Sequence, residues 1–524
     1  MTLRRLIGLA IILFISISLP QSVNAHAALV KATPAPNSHL TTAPKAVTLL
    51  FNERISDDLY KLEVYDSNGN PVTSANAGLG KKHRQLRLDL PKLQNGLYTV
   101  SYKIVSADGH PVAASYTFTV GKPVTVDREE PLLSAKNEPD HSHGNLAADL
   151  VRILEYLALL LTTGWVFWGA VFRSNDPAVQ ERYTAVLKFL KSVFLFLLTG
   201  WTFVKLSELI GELGTAKTPA VLTSTVGTSL VGSLILALVS FWIVGRSRWL
   251  DFVWIALLLF AEARNGHAAA FSPVPLSILS DVVHLFAASI WTGGLLYVFY
   301  FWKTDKAHAK RFLPKFSNTA FACLLILIVS GTLSTWIYLP SLNEIFYTAW
   351  GKWLLAKCLV ILGVILTGFL IRKAMRNHDE EAVGRRVKTD FVLMLLIIVI
   401  VGIFTSLNPV PNNEPLTWHT SGKELAATTY ITPKQPGTGN QVIVKIDTPT
   451  KPNHVSIELD YLDKNDFAPI HIELHQVGKK NGNFVFENEQ ISIPFTGKWQ
   501  IKLKLLDAKD NETVWKKSFR VYKQ

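Results

Sequence analysis

Three residues in the N-terminal part of the chain have side chains that together can bind Cu(II): His26, Asp108 and His110. If His26 is the first residue of the mature chain, its α-amine and imidazole chelate one metal ion, and the imidazole of His110 completes a T-shaped set of three nitrogens. Such a planar set suits Cu(II), and the carboxylate of Asp108 fills a remaining position. These residues alone leave open that His26 is frayed and that His110 is an ordinary turn residue.

The N-terminal position of His26 depends on a signal peptide over residues 1–25. Arg4 and Arg5 form a charged region, residues 6–19 form an apolar region, and Ala25 ends a small-residue motif typical of a cleavage site. The alternative is an uncleaved anchor with His26 in an ordinary loop. Cleavage is favoured because the apolar run is short and the cleavage motif fits.

Residues 149–410 are predicted to be a membrane domain, because they contain repeated apolar runs of spanning length. The eight runs cover about 149–171, 184–204, 222–244, 249–263, 275–301, 318–339, 353–371 and 390–409, of which the fourth is short. Most Lys and Arg residues of the connecting loops lie on the side that would face the cytoplasm. The positive-inside rule therefore predicts a multi-pass protein of the plasma membrane whose N- and C-terminal domains are extracytoplasmic.

A second group of candidate metal ligands lies in this membrane domain. Asp281 and His284 are three residues apart on one predicted span, so they share a helix face, and Asp281 can orient His284 by a hydrogen bond. His267 lies in the preceding outer loop. Ionisable groups inside a span usually face a pathway or the protein interior, so His267 and His284 are predicted to form a copper entry site. A packing hydrogen bond between spans and a haem ligand pair are the alternatives, and nothing else in the chain suggests haem.

Strand-like runs separated by turn signals predict a small β domain on each side of the spans. The first covers residues 26–122, the second covers residues 411–524, and a charged linker over residues 123–148 joins the first to the spans. The predicted fold class is an all-α polytopic membrane domain of about eight spans, flanked by two extracytoplasmic all-β immunoglobulin-like sandwiches. The roles of four further histidines stay open. His141 and His143 could pass copper along the linker, and His471 and His475 could bind metal from one strand face, but a solvated linker and a solvent-facing strand explain them equally well.

The composition limits the chemistry of the chain. Hydrophobic residues make up 49% of it, and its net charge of +13 is explained by the loop charges rather than by binding of nucleic acid. The two cysteines, Cys323 and Cys358, lie in apolar stretches, so the soluble domains have no disulfide and no thiolate site. Only three methionines occur, which excludes a methionine-rich Cu(I) site.

Several segments of the first β domain resemble the CopC family of copper-binding proteins. They are residues 26–38 (HAALVKATPAPNS), 43–53 (APKAVTLLFNE), 106–112 (SADGHPV) and 115–120 (SYTFTV). The resemblance implies that His26, Asp108 and His110 carry a Cu(II) site. Because this domain has no methionine, the second, Met-rich Cu(I) site of some CopC proteins is not expected here.

The membrane region is similar to CopD, the membrane partner of CopC, over roughly residues 149–410. The similarity is carried by Gly266-His267 and by residues 281–294 (DVVHLFAASIWTGG). A fusion of CopC and CopD with an extra C-terminal domain resembles copper-uptake proteins of Gram-positive bacteria. The C-terminal domain resembles the small YtkA-like module through residues 497–501 (GKWQI).

These patterns predict a copper transport protein rather than an enzyme. Cu(II) would be captured outside the cell and passed to the histidines of the spans, and import is favoured over export. The alternatives are copper tolerance by sequestration and delivery of copper to a membrane oxidase. A histidine-brace copper oxidase is disfavoured because the domain is small and tethered to the membrane. The predicted partners are copper ions, the lipid bilayer, and an extracytoplasmic chaperone or a reductase that joins a Cu(II) site to a Cu(I) cytosol.

Overall fold

A computed structural model gives the fold of most of the chain and divides it into two compact units, Met1–Val410 and Pro411–Gln524. The described residues are 27–121, 146–339, 342–404, 407, 409 and 413–522, except 28, 37, 68–69, 414, 423–424, 433, 464–467, 481–482 and 509–510. The predicted signal peptide, His26, His141 and His143 lie outside them.

An N-terminal sandwich of eight strands begins the first unit. The strands are β1 Leu29–Thr33, β2 His39–Leu40, β3 Ala46–Phe51, β4 Ile55–Tyr65, β5 Gly78–Leu79, β6 Gln85–Asp89, β7 Gly96–Ser106 and β8 Pro111–Val120. They form two four-stranded sheets with the orders β1-β3-β6-β5 and β2-β8-β7-β4. Alternate residues of β3 and β7, such as Leu49 and Val100, are fully buried, because successive side chains of a strand point to opposite faces.

A helical domain follows in the same unit. Its helices are α1 Leu146–Val171, α2 Pro177–Leu213, α3 Thr218–Thr223, α4 Thr225–Ile243, α5 Arg248–Ala263, α6 Val274–Thr304, α7 Lys306–Tyr338, α8 Ala349–Arg376 and α9 Glu380–Phe404. A short 3₁₀ turn, His267–Ala269, joins α5 to α6. Helices thus lie over all eight of the predicted apolar runs.

Six of these helices are long and apolar enough to cross a membrane: α1, α2, α4, α6, α7 and α8. Helix α5 has 16 residues, which is shorter than the roughly 20 that a bilayer crossing needs. Helix α9 is not among the six. A bundle of apolar helices is therefore confirmed, whereas the count of eight spans and their orientation stay predictions.

Helices α1 and α6 cross at a contact between two glycines. A Cβ atom at Gly164 would lie 1.9 Å from the carbonyl oxygen of Ser289, and one at Gly293 would lie 2.3 Å from the carbonyl carbon of Gly164. Neither position admits a side chain, so the two backbones touch directly, as small residues allow between membrane helices. The glycines of the motif at residues 281–294 therefore serve close helix packing.

The second unit contains a C-terminal sandwich. Its strands are β9 Leu416–Ser421, β10 Ala426–Thr432, β11 Gly437–Asp447, β12 His454–Tyr461, β13 Ile470–Glu473, β14 His475–Lys480, β15 Asn483–Ile493, β16 Gly497–Leu506 and β17 Glu512–Val521. One sheet has the order β14-β15-β11-β10-β9 and the other β13-β12-β16-β17. Trp499, Val444 and Ile457 are buried in its core. The predicted fold class, a helical membrane domain between two all-β domains, is confirmed.

Candidate metal centre

Asp108 and His110 lie on a tight turn between β7 and β8. The amide of Gly109 donates to the carbonyl of Ser106 at 2.9 Å, and the amide of Ser106 donates to the carbonyl of His110 at 2.9 Å. Gly109 has a φ of +89°, in the left-handed region that glycine adopts without strain. The hydroxyl of Ser106 donates to the carboxylate of Asp108, so the turn fixes the position of that side chain.

The carboxylate of Asp108 lies between two imidazoles. Its Oδ2 atom is 3.0 Å from Nδ1 of His267 and 4.0 Å from Nε2 of His110. Although burial by itself would raise the pKa of Asp108, the neighbouring His110 and His267 and the hydroxyl of Ser106 hold that pKa well below its ordinary value. The carboxylate is therefore ionised and acts only as an acceptor, so His267 must donate from Nδ1.

His267 belongs to the helical domain, on the 3₁₀ turn between α5 and α6. Its side chain is 11% exposed, and its ring is 6.4 Å from that of Tyr338. The second ring nitrogen, Nε2, is buried and has no hydrogen-bond partner among the residues that the structure describes. Sequence analysis placed Asp108 and His267 in two separate sites, and the structure brings them into direct contact.

An apolar seam joins the N-terminal sandwich to the helical domain beside this contact. Leu59 and Val105 of the sandwich are fully buried against Leu209 and Val226 of the helices. Gly109 approaches the same surface, where a Cβ atom would lie 3.1 Å from a methyl group of Val226. The absence of a side chain at Gly109 thus serves both the turn and the docking of the two domains.

Glu53 is a buried acidic residue near Asp108 to which sequence reasoning assigned no role. It is 4% exposed. Burial raises its pKa well above the ordinary value, the charge of Asp108 raises it further, and the charge of Arg84 opposes both. The sequence feature that could have identified Glu53 is its position in the CopC-like segment 43–53, two residues after the buried Phe51.

His284 has a different partner from the one predicted. Its Nδ1 atom forms a hydrogen bond with Oγ of Ser330 on α7 at 2.9 Å, so Ser330, rather than Asp281, orients the ring. The partner thus comes from the neighbouring helix rather than from the preceding turn of the same helix. This contact is the packing bond between spans that sequence analysis left open as an alternative.

A buried ion-pair cluster lies in the same domain. Arg152 contacts Oε2 of Glu155 at 2.8 Å and Oε1 of Glu262 at 2.6 Å. The guanidinium also lies over the rings of Tyr156 and Trp201, at 4.3 Å and 4.8 Å from their centroids. No local pattern indicates the contribution of Glu262, which is 110 residues from Arg152. The cluster ties α1 to α5.

The described residues do not by themselves complete a metal site. Among them, no group of three or more His, Cys, Asp or Glu side chains is arranged to hold a metal ion. The predicted Cu(II) set needs His26, which lies outside the described residues, next to the buried Ala27. The structure therefore places Asp108 and His110 together and leaves the complete ligand set as a prediction.

Comparisons with known proteins agree with this architecture. The family model of the CopC domain matches residues 29–121, and that of CopD, Copper resistance protein D, matches residues 310–404. Copper transport protein CutJ of Bacillus subtilis (strain 168) is 27% identical over 544 residues, which are 96% of this chain and 97% of CutJ. Protein YobA of Escherichia coli (strain K12) is 35% identical over 101 residues, which are 19% of this chain and 82% of YobA.

Among solved structures, CopC from Methylosinus trichosporium OB3b is 38% identical and covers 18% of this chain and 93% of its own, with a TM-score of 0.17. The two family matches and the full-length similarity to CutJ define the class of protein. The chain belongs to the family of proteins that fuse a CopC domain with a CopD domain. The likeness of the C-terminal sandwich to a YtkA-like module stays a prediction.

Proposed function

We propose that this protein transports copper across the plasma membrane, most simply into the cell. Cu(II) is captured outside by His26, Asp108 and His110, passes to His267, and then moves to His284 within the helical domain. The residues suit this task because imidazole nitrogens and a carboxylate are ligands that Cu(II) accepts.

The observation that carries the proposal is the 3.0 Å contact between Oδ2 of Asp108 and Nδ1 of His267. It connects a predicted capture ligand of the CopC-like domain to a predicted ligand of the CopD-like domain. Copper bound at Asp108 would therefore need to move only a few ångströms to reach the helical domain. The apolar seam of Leu59, Val105 and Val226 supports this geometry, because it holds the two domains together.

Further support comes from the relatives. CutJ, which is similar along 96% of this chain, is named a copper transport protein. The fusion also joins an extracytoplasmic binding domain to membrane helices in one chain, which suits uptake better than sequestration alone. The proposal assigns no catalytic residue.

Copper accumulation in copper-starved cells tests the proposal. Cells that express the wild-type chain are compared with cells that express His267→Ala or His284→Ala, each checked for its amount in the membrane. The matched control is His83→Ala, since His83 pairs with Asp57 at 2.5 Å on the exposed surface of the same sandwich.

We expect both test variants to accumulate copper only to the level of cells without the protein, and the control to match wild type. Unchanged or increased copper in the test variants would contradict import. Sequestration, or delivery of copper to a membrane oxidase, would then be the better account.

A further inference from the structure

The two nitrogens of His267 have different surroundings. Nδ1 lies 3.0 Å from Oδ2 of Asp108 and donates its N–H to that oxygen. Nε2 is buried and lacks a hydrogen-bond partner within the described part of the chain. Because a neutral imidazole carries one N–H, a proton on Nδ1 leaves a free lone pair on Nε2. Burying such a lone pair costs free energy unless something binds to it.

This arrangement is the one in which proteins present a histidine to a metal ion. A metal-binding histidine usually donates its other N–H to a carboxylate or carbonyl, which fixes the ring and makes the ligand nitrogen more basic. Asp108 supplies that carboxylate to His267, although the two residues are 159 positions apart and belong to different domains. In the N-terminal sandwich, by contrast, Oδ2 of Asp108 is 4.0 Å from Nε2 of His110, which is beyond hydrogen-bond distance.

We propose that Asp108 serves two copper sites: it is a ligand of the capture site, and it is the positioning residue for His267, whose Nε2 atom is the first copper ligand of the helical domain. This inference deepens the proposed transport function and rests on it. It predicts that the copper affinity of the helical domain depends on a residue of the sandwich. The domain that captures the ion thus also prepares the site that receives it.

The seam makes this sharing geometrically possible. The carboxylate cannot drift from His267, because Ser106 holds it from one side and the turn at Gly109 rests against Val226. Leu59 and Val105 are fully buried at the same interface. A side chain carried on a mobile domain would not hold a fixed hydrogen bond to a histidine of another domain.

The test measures copper binding to the full chain in detergent, with Cu(II) sulfate as the probe. The capture site is first disabled by the double variant His26→Ala/His110→Ala, which leaves Asp108 and His267 in place. Two further changes, Asp108→Asn and His267→Ala, are then added separately to this background. The matched controls are Asp57→Asn and His83→Ala, which remove the exposed aspartate–histidine pair of the same sandwich.

We expect the background to retain one Cu(II) ion with imidazole coordination in its electron paramagnetic resonance spectrum. His267→Ala removes this signal, and Asp108→Asn weakens binding about 10- to 100-fold, the effect typical of losing a carboxylate that orients a ligand. The controls leave binding unchanged. Wild-type-like thermal unfolding of each variant shows that the fold is intact.

A spectroscopic readout separates positioning from a merely structural role. Electron spin echo experiments detect the remote nitrogen of a copper-bound imidazole, whose coupling depends on its hydrogen bond. Asp108→Asn should change that coupling. An unchanged coupling in that variant, or full Cu(II) binding without His267, would overturn the inference.

Failure of this inference and failure of the proposed function give different results. If the background binds Cu(II) through His267 but cells expressing the wild-type chain take up no copper, transport is wrong and the shared site stands. If His267→Ala stops uptake but leaves the spectrum of the background unchanged, transport stands and the shared site is wrong.

Discussion

Each sandwich contains a buried carboxylate with different partners: Asp108 in the N-terminal sandwich and Glu458 in the C-terminal one. Asp108 is 7% exposed and faces His110 and His267. Glu458 is 6% exposed and faces Lys502 and Lys504 at 2.6 Å and 2.5 Å, while Nδ1 of the exposed His471 lies farther away, at 3.6 Å. The exposed fractions of these two residues are thus similar. The lysines neutralise Glu458 permanently, since an ammonium has donors and no lone pair, whereas imidazoles have lone pairs that bind metals.

The difference shows that the neighbours of a buried carboxylate, rather than its burial, decide its use. The lysine hydrogen bonds, which outweigh the opposing effect of burial, lower the pKa of Glu458 to about 2, so this residue is a structural anion. The partners of Asp108 are instead imidazoles, whose ring nitrogens can bind a metal ion. The comparison therefore predicts that copper stabilises the N-terminal sandwich and not the C-terminal one.

The largest expected effect comes from Asp108→Ala. In the wild-type chain, copper at 100 times its dissociation constant should raise the free energy of unfolding by about 2.7 kcal/mol. Without the Asp108 carboxylate we expect almost none of this gain, while Glu458→Ala should keep it. Thermal unfolding with and without Cu(II) measures both. If Cu(II) stabilised the two variants equally, the proposed difference between Asp108 and Glu458 would be wrong.

A second effect concerns acid stability of the C-terminal sandwich. Because the pKa of Glu458 is lower in the folded state than its ordinary 4.5, its ionised form stabilises the fold above about pH 4.5. This stabilisation, on the order of 2 kcal/mol, is lost as the pH falls towards 2. Glu458→Gln should remove it at neutral pH and flatten the unfolding profile between these pH values. If the stability of Glu458→Gln depended on pH as steeply as that of wild type, other carboxylates would be responsible for the acid sensitivity.

A smaller effect is expected at the turn that carries Asp108. Gly109→Ala introduces a Cβ atom at a positive φ and 3.1 Å from Val226, which should cost about 1–2 kcal/mol of stability and weaken the docking of the sandwich. The matched control is Gly96→Ala, because no atom lies within 4 Å of a Cβ atom there. Denaturant unfolding measures both. Equal costs would show that the approach to Val226 is loose.

The smallest effect is expected from the exposed histidines of the C-terminal sandwich. His471→Ala and His475→Ala should each change stability by less than about 0.5 kcal/mol and should leave copper binding unaltered. Isothermal titration of Cu(II) into each full-length variant checks this. If either variant bound fewer Cu(II) ions per chain than wild type, the C-terminal sandwich would contain a copper site. The two sandwiches would then differ less than proposed.

Local features of the fold could be predicted from local patterns. Alternation along β3 and β7 and long apolar runs such as the one in α6 produce strands and helices directly. Helix α2 has 37 residues and extends beyond the predicted apolar run at both ends, because hydropathy marks only the apolar part of a helix. The number of spans is harder to predict, since α5 is too short for length alone to decide.

The site was predictable in its residue types but not in its contacts. Motifs identify Asp108, His110 and His267, but the approach of His267 depends on how Leu59 and Val105 dock on the helices. Helical periodicity puts His284 on the face of Asp281, yet it contains no information about Ser330 on the neighbouring helix. Pairings between distant segments follow from packing of whole domains, which no local pattern records.

The glycine contact between α1 and α6 divides α6 into two arms of unequal length. At about 1.5 Å per residue, the arm of α6 from Val274 to Gly293 is about 28 Å long, and the arm from Gly293 to Thr304 is about 16 Å. A rigid rotation of α6 about this contact would move its Val274 end, which follows the turn of His267, nearly twice as far as its Thr304 end. The end of α6 beside His267 is therefore the end that would be displaced more by such a rotation.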